Sequence, residues 1–157
     1  MIPDVRLEDV ADAVLTASRV LVAVAARSLA AHEEDASLQQ YRSLVVLASR
    51  GAQRPVDLAG ALGVEPSTVT RLCDRLVRKG LITRRRQGPD RREVRLALTP
   101  QGAELVETVT RRRREEIRHI LASVPPAAHA ELVRAFSSFS RAAGEVSEGA
   151  WPRVWEV

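Results

Sequence analysis

A single cysteine in 157 residues excludes an intrachain disulfide framework and any multi-cysteine metal site. Aromatic residues make up only 3% of the chain, so Leu, Val and Ala must fill the core. Lysine is nearly absent: Lys79 stands alone beside 23 arginines, a compositional bias that forbids reading every arginine as a contact. Long hydrophobic runs are missing too. The longest fully apolar stretch near the N-terminus, Val20–Ala26, has seven residues, far short of the ~20 that span a bilayer. The opening Met-Ile-Pro-Asp has no basic n-region, so no secretory signal is expected and the chain is expected in the cytoplasm. His32, His119 and His129 share no metal-ligand spacing with one another or with Cys73, which leaves them as surface or helix-end residues. No glycine-rich phosphate loop, nucleophile elbow or paired-carboxylate motif occurs. No catalytic residue, metal or cofactor is therefore expected.

What is present is charge, unevenly placed. The whole chain carries +4, with a pI near 10.4. From Pro66 to Arg95 there are ten basic residues against three acidic ones, net +7, which leaves −3 for the remainder. Such concentration on one segment is the electrostatic footprint of a phosphate-backbone binder.

That segment has readable architecture. Val56–Leu62 is a short helix with Leu58, Ala59 and Leu62 on one face. Gly63 follows, where a sharp turn needs a residue free to take positive φ. Glu65-Pro66 opens a second helix, the proline suiting a first position whose N–H would be unpaired anyway. Val69, Leu72, Cys73, Leu76 and Val77 then form an apolar stripe. Ser67, Thr68, Thr70, Arg71, Asp74, Arg75 and Arg78 occupy the other side, and Gly80 ends the helix. Two helices joined by a tight turn make a helix-turn-helix. Leu81–Arg86 and Glu93–Leu98 read as strands around Gln87-Gly88-Pro89-Asp90, a turn sequence. This hairpin is a wing carrying Arg84, Arg85, Arg86, Arg91, Arg92 and Arg95.

The flanks are helical. Leu7 to about Ala31 reads as one uninterrupted helix, apolar nearly all round at Val20–Ala26. A helix apolar on several sides is buried between partners, and in so short a chain the partner is a second subunit. His32–Ser37 is a polar link. Leu38–Arg50 should be a helix with Tyr41, Leu44, Val45 and Ala48 inward, and Gln53–Pro55 a short strand beside the wing. Thr99-Pro100 starts a helix to about Ser123, with Leu105, Val106, Val109, Ile117, Ile120 and Leu121 as its apolar side. Its run Arg111–Arg114 reads as a solvated face with pairs Arg111–Glu115 and Arg112–Glu116. Val124-Pro125-Pro126 breaks the chain before a last helix, Ala127–Ala143. The tail Gly144–Val157 holds Trp151 and Trp155, which should dock on this subunit or its partner.

The residues Leu58-Ala59, Leu62-Gly63-Val64, Ser67-Thr68-Val69-Thr70-Arg71, Asp74-Arg75-Leu76, Lys79-Gly80-Leu81, Asp90-Arg91-Arg92, Leu98-Thr99 and Gly102 resemble the MarR (multiple antibiotic resistance regulator) winged helix-turn-helix regulators. The resemblance covers about Leu38 to Gly102. It implies a mainly α subunit spanning 1–157, with a DNA-binding lobe at 38–99 and dimerisation helices in 1–37 and 100–157. A two-fold dimer of this kind presents two recognition helices to successive major grooves of a pseudo-palindromic operator. The resemblance also implies a repressor relieved by a small aromatic or apolar ligand, bound between the dimerisation helices and the winged lobe.

The candidate DNA contacts are Ser67, Thr68, Thr70 and Arg71 toward base edges and Arg75 and Arg78 toward phosphates. On the wing they are Arg84, Arg86, Asp90, Arg91 and Arg92. Asp90 and Arg92 match the family's wing-tip pair, with Arg92 in the minor groove and Asp90 holding its guanidinium. Cys73, on the apolar stripe, should be an inert thiol. Two rivals remain: a winged-helix protein-interaction module without DNA readout, opposed by the wing's basicity, and a membrane-surface protein, opposed by the lack of a basic amphipathic helix with bulky apolar anchors.

Overall fold

A computed structural model describes residues 5–32, 34–87 and 93–151. The elements run α1 (Leu7–Ala30), α2 (Leu38–Arg50), α3 (Pro55–Leu62), α4 (Pro66–Arg78), β1 (Ile82–Gln87), β2 (Glu93–Leu98), α5 (Pro100–Leu121) and α6 (Pro126–Ala142), then a short 3-10 turn at Glu148–Ala150. The mainly helical class with one hairpin matches the sequence reading. Boundaries move by a residue or two for local reasons. Pro55 and Pro126 both serve as first helical residues, where a missing N–H costs nothing.

The lobe is built from α2, α3, α4 and the hairpin. Ser37 caps α2 with a capping box: its hydroxyl accepts from the Gln40 N–H, and the Gln40 side chain accepts from the Ser37 N–H. Leu44, Leu47, Leu58, Val69, Leu76, Leu81, Ile82 and Leu96 are fully buried together. Each such side chain contributes about 1.5–3 kcal/mol relative to leaving it in water. On α2, Tyr41, Leu44 and Ala48 are inward as expected, but Val46 and Leu47 are buried as well and Val45 only partly. The cause is that α5 covers one side of α2 while α3 and β2 cover another.

In the hairpin, Ile82 pairs with Leu98 and Gln87 with Glu93. Of the residues expected inward on β2, only Leu96 is fully buried; Val94 and Leu98 are partly covered. Gln87 ends β1 instead of opening the turn, and the rest of the expected turn, Gly88-Pro89-Asp90, lies outside the described residues. The short strand expected at Gln53–Pro55 shrinks to one bridge. Gln53 and Leu96 exchange N–H···O bonds of 3.0 and 2.8 Å, and Pro55 already begins α3.

Thr99 joins the wing to α5. Its hydroxyl accepts from the Gly102 N–H at 3.0 Å and donates to the Gly80 carbonyl at 2.6 Å. Gly102 sits so close to the loop after α4 that a Cβ there would lie 2.1 Å from the Leu81 carbonyl oxygen. Beyond Val109 the buried side of α5 fades: Ile117 is half-buried, and Ile120 and Leu121 are exposed. Neither expected i,i+4 pair of the arginine run forms among the described residues. Glu116 bonds Arg27 of α1 instead, because α1 lies along α5.

The flanking helices leave much apolar surface open. α1 buries only Val24, Ser28 and Leu29, and α6 buries nothing. Val10, Leu15, Val20, Val22, Val133, Phe136 and Phe139 are all exposed. By length and composition α1 is apolar enough to cross a bilayer. Arg19 within its apolar stretch argues against that, since a charge at the centre of a membrane helix costs about 2.5–3.5 kcal/mol. In the tail, Trp151 is half-buried against the core shared by the lobe, α1 and α5; Trp155 lies outside the described residues.

Two glycines give opposite tests. Gly102→Ala must push against a backbone carbonyl, so it should lower stability by about 1–3 kcal/mol, as overpacking does. Gly60, inside α3 with nothing within 4 Å of an added Cβ, should gain about 0.4–1 kcal/mol on substitution by Ala. Urea midpoints of both variants check the pair; an unshifted midpoint for Gly102→Ala contradicts the close approach.

Candidate nucleic-acid interface

The turn between α3 and α4 is set by Gly63 at φ 64°. The N–H groups of Gly63 and Val64 bond the carbonyls of Gly60 and Ala59 at 3.2 and 3.1 Å, a Schellman closure. The chain then enters α4 at Pro66. The end of α4 repeats the device: Gly80 has φ 71°, and the Gly80 and Leu81 N–H groups bond the Val77 and Leu76 carbonyls, both at 3.0 Å. Both ends of the helix are thereby fixed by backbone geometry.

Between those ends α4 is sharply two-sided. Val69, Leu72, Cys73 and Leu76 are buried. Val77, expected in the stripe, is 37% exposed, so the buried face ends at Leu76. On the other side Ser67, Thr70, Arg71, Arg75 and Arg78 are exposed and Thr68 is half-buried. Thr70 donates its hydroxyl to the Pro66 carbonyl at 3.1 Å, and Arg78 Nε donates to the Asp74 carbonyl at 3.3 Å. Arg71 and Arg75 have no such tether among the described residues. They line a groove with Thr68 and with Ser37, Gln39 and Gln40 at the start of α2. That α2 end was missed in the sequence, since only the fold brings it beside α4.

The wing arginines divide. Arg85 and Arg86 are exposed. Arg84 pairs with Asp74 of α4 at 2.6 Å, so it braces the wing against the helix. Arg95 bonds Glu93 at 2.9 Å and the Ala52 carbonyl at 3.4 Å. Lys79, counted in the basic footprint, donates to the carbonyls of Glu34 and Asp35 at 2.8 and 2.9 Å and so ties α4 to the α1–α2 link. Asp90, Arg91 and Arg92 lie outside the described residues.

A second feature lies behind the lobe. A cavity of about 560 Å³ opens between α1, α2 and α5, lined mainly by Leu38, Tyr41, Arg42, Val45, Leu62 and Arg113. The Tyr41 hydroxyl sits 3.1 Å from that of Thr110, and burial pushes its pKa up. Arg113 Nε is buried without a partner among the described residues. Arg113 belongs to the run read as a solvated face. The signal against that reading was present: Leu105, Val109 and Arg113 are spaced four apart, on one side of α5.

A model of the MarR family matches residues 36–94. The crystal structure of RV1404 from Mycobacterium tuberculosis is 41% identical, covers 92% of this chain and 99% of that one, and superposes with a TM-score of 0.83. The chain belongs to the MarR family. The multiple antibiotic resistance protein MarR of Salmonella typhimurium is 33% identical over 87 residues, which take in 55% of this chain and 60% of that protein. The chain thus spans about three-fifths of the length of the curated relatives it matches, which are transcriptional regulators and not enzymes. BpsR of Bordetella bronchiseptica, solved in a study of how 6-hydroxynicotinic acid regulates its DNA binding, is 25% identical, covers 88% of this chain and 97% of that one, and has a TM-score of 0.63.

In this MarR-family chain α4 carries its cysteine inward. Cys73 is 1% exposed, and burial pushes its thiol up to about 11 from an ordinary 9.0. The thiol is then protonated at neutral pH and a poor nucleophile. Stability linked to it is intact below pH 9. Between pH 9 and 11 the unfolded chain releases the proton while the folded chain keeps it, so stability falls as pH rises. Native protein at pH 8 should therefore resist thiol alkylation until denatured, and Cys73→Ser should leave any peroxide response of DNA binding unchanged. Rapid alkylation of the folded protein contradicts the buried-thiol account.

Proposed function

We propose that this chain is a homodimeric, sequence-specific DNA-binding transcriptional repressor of the cytoplasm, released from its operator by a small aromatic or apolar acid. The observation that carries the reading is the open cationic side of α4. Arg71 and Arg75 stand exposed above a buried apolar stripe, and the wing strand packed against α4 carries the exposed Arg85 and Arg86. Such a face suits a major groove flanked by phosphates, with Ser67, Thr68, Thr70 and Arg71 toward base edges and Arg75, Arg78 and Arg86 toward the backbone. Arg84 acts first as the brace to Asp74, tying the wing to α4; at the wing tip Arg92 would enter the minor groove with Asp90 holding its guanidinium, and Arg91 is a further contact. A protein-interaction role fits this face poorly, because protein interfaces are depleted of charge at their centres.

The exposed apolar residues of α1, α5 and α6 support the dimer. Large apolar side chains left exposed in such number along helices mark an interface. Sedimentation of the full chain at micromolar concentration should give about twice its 17.2 kDa mass; a stable folded monomer contradicts the dimer.

The cavity behind the lobe is the ligand site in this reading. It is mostly apolar with two guanidinium groups, Arg42 and Arg113, suited to an organic carboxylate. BpsR, whose DNA binding answers to 6-hydroxynicotinic acid, supports that class of effector. A ligand preferring one spacing of the two lobes shifts the dimer away from the DNA-competent spacing.

Two substitutions separate the kinds of DNA contact. Arg71→Ala should cost about 1–3 kcal/mol on the operator and relax preference at one position per half-site. Arg75→Ala should weaken operator and random DNA alike and reduce the salt slope by about one unit per site occupied. Affinities on both DNAs across several salt concentrations check this. Equal losses on both DNAs for Arg71→Ala contradict its role as a base reader.

A further inference from the structure

Arg42 has two claims on it. It lines the cavity between α1, α2 and α5, and it is bonded by both carboxylate oxygens of Glu145, just beyond the end of α6. Glu145 belongs to a segment, Gly144–Trp151, that runs back over the lobe. Arg50 of α2 donates to the Gly144 carbonyl at 3.0 Å. Glu148 stands 3.8 Å from Arg114 of α5. Trp151 packs half-buried against the core shared by the lobe, α1 and α5, and its indole N–H donates to the Val146 carbonyl at 3.4 Å. The segment therefore straps the end of α6 to α2, joining the flanking helices to the winged lobe.

The strap's polar attachment is weak by nature. Arg42 and Glu145 are 43% and 41% exposed, and exposed ion pairs add little net stability. Exchanging one carboxylate for another on the same guanidinium is then close to balanced, whereas burying the Arg42 head without any carboxylate is not. Arg113, lining the same cavity, has a buried Nε with no partner among the described residues, which adds a second cationic group to the lining.

We propose that Glu145 and an organic carboxylate in the cavity compete for Arg42, so that ligand entry releases Glu145 and leaves the Gly144–Trp151 strap held to α2 by the single Arg50–Gly144 bond. This rests on the cavity being the ligand site. It adds what the occupant does: it takes the strap's anchor and loosens the tie between lobe and flanking helices. A neutral ligand of the same shape fills the cavity without releasing Glu145.

Of the chain's two tryptophans, Trp151 lies in the strap and Trp155 beyond it in sequence, so the titrations are made in a Trp155→Phe background, where the emission reports Trp151 alone. The probes are cyclohexanecarboxylate and neutral cyclohexanecarboxamide, titrated into the full-length protein with binding followed by calorimetry. The carboxylate should bind and red-shift the emission, while the carboxamide leaves it unchanged. Glu145→Gln should start red-shifted and bind the carboxylate about three- to fivefold tighter, having lost an exposed ion-pair competitor. Arg42→Gln should lose the ligand-linked shift. Carboxylate binding with unchanged emission, or equal affinity in wild type and Glu145→Gln, overturns the exchange and leaves the ligand site standing. Absence of carboxylate binding at millimolar concentration in both proteins overturns the ligand site and the exchange together.

Discussion

Everything in the lobe depends on how α4 is held. Its four buried residues, Val69, Leu72, Cys73 and Leu76, sit in the same core as Leu44, Leu58, Leu81 and Leu96. At about 1.5–3 kcal/mol for each fully buried large side chain, this packing fixes the helix's rotation far more firmly than any surface ion pair. Once the stripe is inside, Arg71 and Arg75 have nowhere to be but outside. Glycine-closed turns at both ends and the Arg84–Asp74 brace then set the helix against the wing. Specific recognition of a rigid duplex needs this kind of fixed presentation.

The flanking helices obey the opposite condition. Their apolar faces exceed what one chain can cover, as Phe136, Phe139, Val22 and Leu15 make plain. The proposed dimer satisfies that excess and fixes the distance between two copies of α4. The cavity and the strap lie between the two regions, and under the proposed exchange a change at Arg42 would bear on the lobe's angle. The proposed dimer, ligand site and strap share one mechanical logic: the lobe would read, the flanks would set spacing, and the seam would adjust it.

The helices were legible because their signals are local. Pro66 and Gly80 bracket α4, Thr99-Pro100 starts α5, and the 3.6-residue period marks the buried stripe. The wing's strands were legible for the same reason. Partnerships made across the fold were not. Nothing near Lys79 in sequence announces that it bonds the Glu34 and Asp35 carbonyls, and nothing near Arg84 assigns it to Asp74 rather than to a phosphate. Glu116 could equally have paired within its helix; only the lie of α1 along α5 gives it to Arg27. Arg113 was hidden by its neighbours, four arginines in a row, although its spacing from Leu105 and Val109 placed it inward. Of the site residues, those on α4 follow from the stripe by subtraction, whereas the α2 side of the groove needed the fold.

The central claim is that two copies of α4, held rigidly by their lobes, enter successive major grooves of one duplex. A hydroxyl-radical footprint of the full-length protein on DNA from its own upstream region tests that most directly. The account predicts two protected patches on one face of the duplex, separated by about one helical turn, ~34–36 Å, or a multiple of it. A single patch, uniform protection, or no protection at salt concentrations where the protein remains folded would contradict it.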